Sequence, residues 1–153
     1  MTRLAVLVAS FGYTGYSPIA PGTAGSAAAL LLYALVHWSG SPLVEGMVIV
    51  AIALVGTWSA SISERHFGTS DPCQVVIDEV LGMLMTLAFM RLTWRGVIVG
   101  FFVFRALDIV KPFPANVAER LHGGLGMMAD DAVSGVYGNI VMRLLLWLLP
   151  AWM

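Results

Sequence analysis

The sequence predicts an all-α fold: a compact membrane bundle of about four to six helices, some short or re-entrant, with a polar site at one membrane face. Three observations support this prediction. Hydrophobic residues make up 59% of the chain and charged residues only 11%, whereas soluble domains contain about a quarter charged residues. Long apolar runs alternate with short stretches rich in Gly, Pro and polar residues, as in helices joined by loops. Most of the ionisable residues interrupt or end these apolar runs.

Length, charge and cysteine content narrow the class of protein. A chain of 153 residues fits a single domain, residues 1–153. The formal net charge of −1 excludes a basic nucleic-acid-binding protein on bulk electrostatics. The single cysteine, Cys73, excludes a disulfide framework and a cysteine-rich metal site. No A-x-A-like cleavage site follows the short apolar run at residues 4–11, so the hydrophobic helices themselves are expected to direct the chain to the membrane.

The first half of the chain predicts three helical segments. The run LAVLVASFG is too short to span a bilayer, so it predicts a re-entrant or packed helix. Residues 13–26 contain two prolines and three glycines and predict a shaped loop. Thr23 or Ser26 is the expected N-cap of the next helix, AAALLLYALVHW. Residues 43–61 are the best candidate for a membrane span, because a span needs about 20 mainly apolar residues.

The second half predicts three more helices, at residues 75–90, 96–110 and 132–149. Charged residues stand near the start of the first, at the end of the second and just before the third: Asp78, Glu79, Arg105, Asp108, Lys111, Asp130 and Asp131. Antiparallel neighbours joined by a short connection place those ends on the same side of a bundle. Trp147 and Trp152 are expected to anchor the last helix at the membrane interface.

These charges predict one shared polar site. An unpaired charge inside an apolar segment costs several kcal/mol, so each of them needs a partner. Carboxylates without a cluster of His or Cys favour a hard cation, with Mg²⁺ as the default. A simpler alternative is an ion pair within one helix, because Asp108 follows Arg105 by three residues and shares its face. That pair would leave the other acidic residues unexplained.

An anion-binding feature is also present in APGTAGS, which places Thr23 and Ser26 near a predicted helix start. Free backbone N–H groups and the helix dipole there suit a phosphate, although ordinary capping is the commoner explanation. No Lys follows the glycine, so nucleotide binding is not implied. Arg105 and Lys111 add two cations, and cations beside carboxylates fit a phosphate held over Mg²⁺.

Four ordered segments of the chain, SPIAPGTAGS, DPCQVVIDEVLGM, FRALDIVKPFP and GGLGMMADDAVSGVY, together resemble the phosphatidylglycerophosphatase A family of bacterial membrane enzymes. The resemblance implies Mg²⁺-dependent hydrolysis of the terminal phosphomonoester of phosphatidylglycerophosphate, which gives phosphatidylglycerol and phosphate. It also implies a multi-pass protein of the bacterial inner membrane whose site faces the cytoplasm. The expected partners are the phospholipid substrate and the membrane.

The resemblance places specific residues at the family's acidic and basic positions. The expected catalytic residues are Asp78, Glu79, Asp108 and Asp131. The expected Mg²⁺ ligands are Asp78, Asp108, Asp130 and Asp131, and the expected substrate-binding residues are Arg105, Lys111, Thr23 and Ser26. How the acidic residues divide their work, with Glu79 taking or positioning a proton, is our hypothesis.

Two other classes of function remain open on the sequence alone. Carboxylates and arginines inside a membrane also mark small multi-pass ion or proton transporters. Such a transporter often has internal repeats and charges spread through the bilayer depth, whereas here the charges collect at helix ends and no repeat is evident. The third class is a structural membrane subunit whose charges pair with another chain. The oligomeric state is not predicted.

Overall fold

The computed structural model describes residues 1–118 and 120–150, and the prediction of an all-α fold is confirmed over these residues. They form seven α-helices and no strand. The helices are α1 (Thr2–Ala9), α2 (Pro21–Trp38), α3 (Pro42–Phe67), α4 (Ile77–Leu87), α5 (Trp94–Val110), α6 (Ala115–Ala118) and α7 (Gly124–Leu148), with a 3-10 turn at Thr14–Tyr16. Six correspond to the predicted segments, and α6 is an additional single turn. Trp152, the second expected anchor, lies outside the described residues.

The start of α2 differs from the prediction. The helix begins at Pro21, with Ala20 before it in the left-handed conformation at φ 47°. Proline suits this position because the N–H that it lacks would have no partner in the first turn. The prediction that Thr23 or Ser26 caps the helix is therefore wrong. Ser26 is buried inside α2, and its Oγ donates to the carbonyl of Gly22 at 2.8 Å.

Two other helices extend beyond the bounds that the sequence predicts. The helix α3 continues to Phe67 and ends at Gly68, whose φ of 70° provides a left-handed C-cap. The helix α7 begins at Gly124, before the predicted start at residue 132, so most of the stretch GGLGM is already helical. Asp130 and Asp131 consequently lie in its second turn instead of ahead of the helix.

The helix α4 occupies the centre of the bundle. Nearly all of its side chains are buried, which is the behaviour of a helix that is apolar on every side. Its most extensive contact is with α7. Small residues permit this close approach, since a Cβ built on Gly135 would lie 2.7 Å from the carbonyl oxygen of Gly82. Phe104 from α5 and Met142 from α7 complete the core around α4.

The outer surface of the bundle is strongly apolar. Among the described residues, α3 is the one helix long and apolar enough to cross a membrane, with 26 residues and a mean hydropathy of 1.9 over its most apolar window. At 1.5 Å per residue it is about 39 Å long, more than the roughly 30 Å of a bilayer core. Large apolar side chains on other helices are also exposed, including Leu31, Leu35, Phe102, Ile109, Ile140 and Trp147.

Candidate active site

Three carboxylates from two helices converge at the start of α4. Asp78 and Glu79 lie in the first turn of α4 and Asp131 lies on α7. Each offers an oxygen, and these oxygens all lie within 4.8 Å of one another. Asp78 is 7% exposed and Asp131 3%. Gly82 permits the approach, because a Cβ at this position would lie 2.8 Å from the backbone oxygen of Asp131. We call Asp78, Glu79 and Asp131 the carboxylate cluster.

The end of α5 adds one acidic and one basic residue to the cluster. The Oδ2 of Asp108 accepts from Arg105 Nη1 at 2.5 Å, so the ion pair within α5 that the spacing allowed is present. It does not isolate Asp108, whose carboxylate is close enough to Asp131 for their negative charges to repel. Arg105 Nη1 lies 3.9 Å from Glu79 Oε1. One guanidinium therefore serves two carboxylates from different helices.

Asp130 and Lys111 form a second pair beside the cluster. Lys111 Nζ donates to Asp130 Oδ2 at 2.6 Å, and the backbone N–H of Asp131 donates to Asp130 Oδ1 at 2.9 Å. Asp130 is 4% exposed. Both of its oxygens thus have protein partners, in contrast to Asp131, whose Oδ2 has none among the described residues. The expected role of Asp130 as a metal ligand stays a prediction.

The first turn of α2 covers the cluster on one side. A Cβ built on Gly22 would lie 2.2 Å from Glu79 Oε1 and 3.2 Å from Arg105 Nη1, so only glycine fits here without displacing the carboxylate. Ser26 reaches the same arginine, whose Nη1 lies 3.5 Å from its Oγ. Thr23 is exposed in the same turn. Sequence reasoning missed Gly22, although its place between Pro21 and the hydroxyl of Thr23 in APGTAGS was a usable signal.

The electrostatics of the cluster favour a bound cation. Burial removes water from the carboxylates, and their proximity adds repulsion, so both effects disfavour the charged forms. Asp131 Oδ2 and Glu79 Oε2 are buried with no hydrogen-bond partner in the described part of the chain. Such orphaned acceptors are rare in folded proteins and call for an explanation. A hard divalent cation would satisfy them, since oxygen donors are what such ions prefer.

The structure therefore brings together Asp78, Glu79, Asp108 and Asp131 with Arg105 and Ser26, and it places the Asp130–Lys111 pair and Thr23 at the edge of this group. The fold accounts for the meeting: α4 starts, α5 ends and α7 starts at the same end of the bundle. The individual roles expected of these residues stay predictions.

Comparison with known proteins assigns the chain to a family. The family model of phosphatidylglycerophosphatase A matches residues 7–146. Phosphatidylglycerophosphatase A of Escherichia coli K12 is 38% identical over 133 residues, which cover 86% of this chain and 76% of that protein. The Haemophilus influenzae protein of the same name is 33% identical over 141 residues, covering 90% and 85%.

A third relative carries a different name. A Bacteroides thetaiotaomicron protein, provisionally named a phosphatidylinositol-3-phosphatase, is 35% identical over 154 residues, covering 95% of this chain and 96% of that protein. No solved structure matches the chain.

The fold, the carboxylate cluster and these relatives define the class of the protein, which is a helical phosphatase with a candidate membrane span. Within that class, the chain belongs to the phosphatidylglycerophosphatase A family. The expected resemblance is confirmed over most of the chain. Of the three classes of function considered from the sequence, the family supports the phosphatase.

Proposed function

We propose that this protein is a Mg²⁺-dependent phosphatase that hydrolyses the terminal phosphomonoester of phosphatidylglycerophosphate, releasing phosphatidylglycerol and phosphate. The observation that carries the proposal is the convergence of Asp78, Glu79 and Asp131 within 4.8 Å beside Arg105. In the overall reaction, water forms a new bond to phosphorus, the ester P–O bond breaks, and the departing glycerol oxygen takes a proton.

Mg²⁺ is the proposed cofactor because the cluster offers oxygen donors only. Asp78 and Asp131 are the proposed principal ligands, and the unpartnered Oδ2 of Asp131 supports this role. Asp108 and Asp130 are the further ligands expected from the sequence, and each is already bonded to a cationic side chain. When bound, the ion would neutralise phosphate charge and lower the pKa of a coordinated water.

The protein's own cations are proposed to hold the phosphate. Arg105 Nε is buried and has no hydrogen-bond partner among the described residues, so it retains a donor for a phosphate oxygen. Lys111 carries three donors, and its bond to Asp130 fixes the ammonium at the edge of the cluster. The first turn of α2, with Gly22 and Thr23, supplies backbone N–H groups at a helix start. Glu79, next to Arg105, is proposed to take or position a proton.

The lipid substrate is proposed to remain in the bilayer while its head group enters the site. The apolar side chains exposed on the bundle would contact lipid, and the carboxylate cluster lies at one end of it, where α4 starts, α5 ends and α7 starts. We place this end at the cytoplasmic face of the bacterial inner membrane, in a multi-pass arrangement, on the basis of the resemblance to the family.

The test uses the full chain purified in detergent. Phosphate release is measured from phosphatidylglycerophosphate in mixed micelles with Mg²⁺, with EDTA, and with EDTA followed by excess Mg²⁺. We expect activity that EDTA abolishes and Mg²⁺ restores. Full activity in EDTA would refute the proposed dependence on a metal. If no phosphate is released under any condition, the proposed substrate is wrong. Phosphatidylinositol 3-phosphate is assayed in parallel because one relative is named for that lipid, and a preference for it would reassign the head group.

A further inference from the structure

A polar cavity of about 290 Å³ adjoins the carboxylate cluster through Asp130, the neighbour of Asp131. It lies between the end of α3, the turn before α4 and the start of α7. Its polar lining comes from Glu64, Ser70, Asp71, Arg120, His122 and Asp130. Unlike the apolar surface of the helices, this lining offers a guanidinium, an imidazole, carboxylates and a hydroxyl within one space.

Two residues connect the cavity to the cluster. Asp130 lines the cavity, bonds to Lys111 and directly precedes Asp131. Asp71 also lines the cavity and is close enough to Asp78 for their negative charges to repel. A molecule that occupies the cavity therefore lies next to whatever the cluster holds. The two spaces are neighbouring parts of one site.

The cavity is more mixed in charge than the cluster, which is dominated by carboxylates and suits a cation. Glu64, Asp71 and Asp130 line the cavity with carboxylates, and Arg120 and His122 add basic groups to it. Arg120 can donate to phosphate through a planar fork, while Glu64 and Ser70 can accept from hydroxyl groups. A ligand with one negative charge and a neighbouring hydroxyl matches this lining. A bare apolar group does not.

We propose that this cavity binds the part of the head group that joins the scissile phosphate to the lipid, with Arg120 on the phosphodiester. The inference rests on the proposed function, which requires a substrate with two phosphates. One phosphate reacts at the cluster, and the second is a diester separated from it by a glycerol unit that carries a free hydroxyl. The cavity thereby selects a glycerol-linked lipid over a lipid whose phosphomonoester is attached directly to diacylglycerol.

The test compares the full-length wild-type enzyme with Arg120→Ala in detergent micelles containing Mg²⁺. Arg120→Ala is expected to raise KM for phosphatidylglycerophosphate about tenfold, the effect of losing one charge-assisted hydrogen bond. It should change kcat by less than about twofold, because the contact is the same before and during the reaction. Dihexanoyl phosphatidylglycerol carries the diester but no monoester. Its inhibition constant should rise in Arg120→Ala by the same factor as KM.

Inorganic phosphate provides the internal comparison, because it can occupy the cluster without reaching the cavity. Its inhibition constant should stay within about twofold of wild type in Arg120→Ala. Arg65→Ala is the matched control, since Arg65 is exposed near the end of α3 and does not line the cavity. An unchanged KM in Arg120→Ala would overturn the inference, as would equal weakening of both inhibitors. A wild-type enzyme inactive on the lipid would instead refute the proposed function.

Discussion

Asp78 and Asp131 are buried and Glu79 is partly buried, and three ionised carboxylates this close destabilise the folded protein unless a cation or a proton lies among them. Two like charges about 4 Å apart repel by about 4 kcal/mol at the effective dielectric constant of about 20 that suits such sites. Asp131 is subject to this repulsion, and its Oδ2 also has no hydrogen-bond partner among the described residues. A buried carboxylate in this position lowers the stability of the protein, so we infer that it is retained for function.

Replacing Asp131 by Asn separates these two contributions, since Asn keeps the shape of the side chain and removes its charge. We expect phosphate release to fall by on the order of a hundredfold or more. In EDTA the variant should unfold at the same temperature as wild type or higher, because repulsion is relieved. Mg²⁺ should raise its Tm less than it raises that of wild type. Thermal unfolding in detergent with and without Mg²⁺ measures this.

Glu45→Gln is the matched control for that experiment. Glu45 lies at the start of α3, where its Oε2 accepts from the backbone N–H of Phe89 at the far end of α4 from the cluster. The amide of Gln can also accept this bond, so the Mg²⁺-induced shift in Tm should match that of wild type. An equal shift in Asp131→Asn and wild type would contradict the metal assignment.

Gly22 gives a second prediction at the scale of single residues. Gly22→Ala should lower activity at least about tenfold, because the new Cβ must displace the Glu79 carboxylate from 2.2 Å. Glu79→Asp shortens that side chain by one methylene and makes room. The double variant Gly22→Ala/Glu79→Asp should therefore be more active than Gly22→Ala alone. Phosphate release by the four enzymes of this cycle measures the coupling.

Additive effects in that cycle would show that Gly22 does not act through Glu79. Gly46→Ala controls for loss of a helical glycine, since the nearest atom to a Cβ there is Phe89 Cζ at 3.9 Å. It should retain activity within about twofold, as expected of a substitution with space to accept a methyl group.

The sequence predicts which residues converge at the site. It does not predict which of these side chains pair with one another. Scarce charges at helix ends indicated that Asp78, Asp108 and Asp131 converge, because each is too costly to leave alone in an apolar segment. Which carboxylate pairs with which cationic side chain depends on how each helix is rotated about its own axis. A rotation of a few tens of degrees is enough to change the partner. Adjacent residues such as Asp130 and Asp131 point about 100° apart on a helix, so one meets Lys111 and the other the cluster.

At the scale of helices, the contact between α4 and α7 holds the two halves of the cluster together. A Cβ on Gly138 would lie 2.5 Å from Thr86 Oγ1 and 2.9 Å from its Cγ2. Gly138→Ala should therefore destabilise the protein by about 1–3 kcal/mol, the usual cost of overpacking. Because α4 carries Asp78 and α7 carries Asp131, a shift between these helices should also lower the rate of phosphate release. Thermal unfolding and phosphate release are the measurements, again with Gly46→Ala as the control.

Combining Gly138→Ala with Thr86→Ala distinguishes overpacking from other effects of the new methyl group. Alanine at position 86 lacks both the Oγ1 and the Cγ2 that the Cβ would meet, so it should recover part of the lost stability. Thr86→Ala alone measures the loss of the hydroxyl that donates to the Gly82 carbonyl. No recovery beyond that loss would show that the destabilisation arises elsewhere.

Helix boundaries were predicted less well, and glycine is the common reason. A glycine-rich stretch has two meanings in a sequence: a turn that needs unusual backbone angles, or a helix that another helix approaches closely. Gly124 belongs to the second kind, because a Cβ there would lie 2.4 Å from the carbonyl oxygen of Thr57 on α3. Nothing in the local sequence distinguishes the two, since the deciding neighbour is 67 residues away. The same ambiguity hid the start of α2.

At the scale of the whole molecule, the apolar outer surface is the feature that the composition predicted best. An excess of hydrophobic residues over what one small core can bury must be exposed, and several helices expose large apolar side chains. We expect the protein to remain in the membrane fraction after extraction at alkaline pH, as an integral membrane protein does. Immunoblotting of the pellet and supernatant measures this, and release into the supernatant would contradict the membrane assignment.

The position of the carboxylate cluster at one end of the bundle also determines how the rate of hydrolysis depends on the surroundings of the protein. A lipid that reaches the site by lateral diffusion is encountered in two dimensions, so what matters is its mole fraction in the surface and not its bulk molarity. Adding inert detergent at constant total substrate then slows turnover by dilution within the micelle surface. Other lipids in the leaflet lower the mole fraction of the substrate. They therefore lower the rate, as dilution of a soluble substrate does for an enzyme in water.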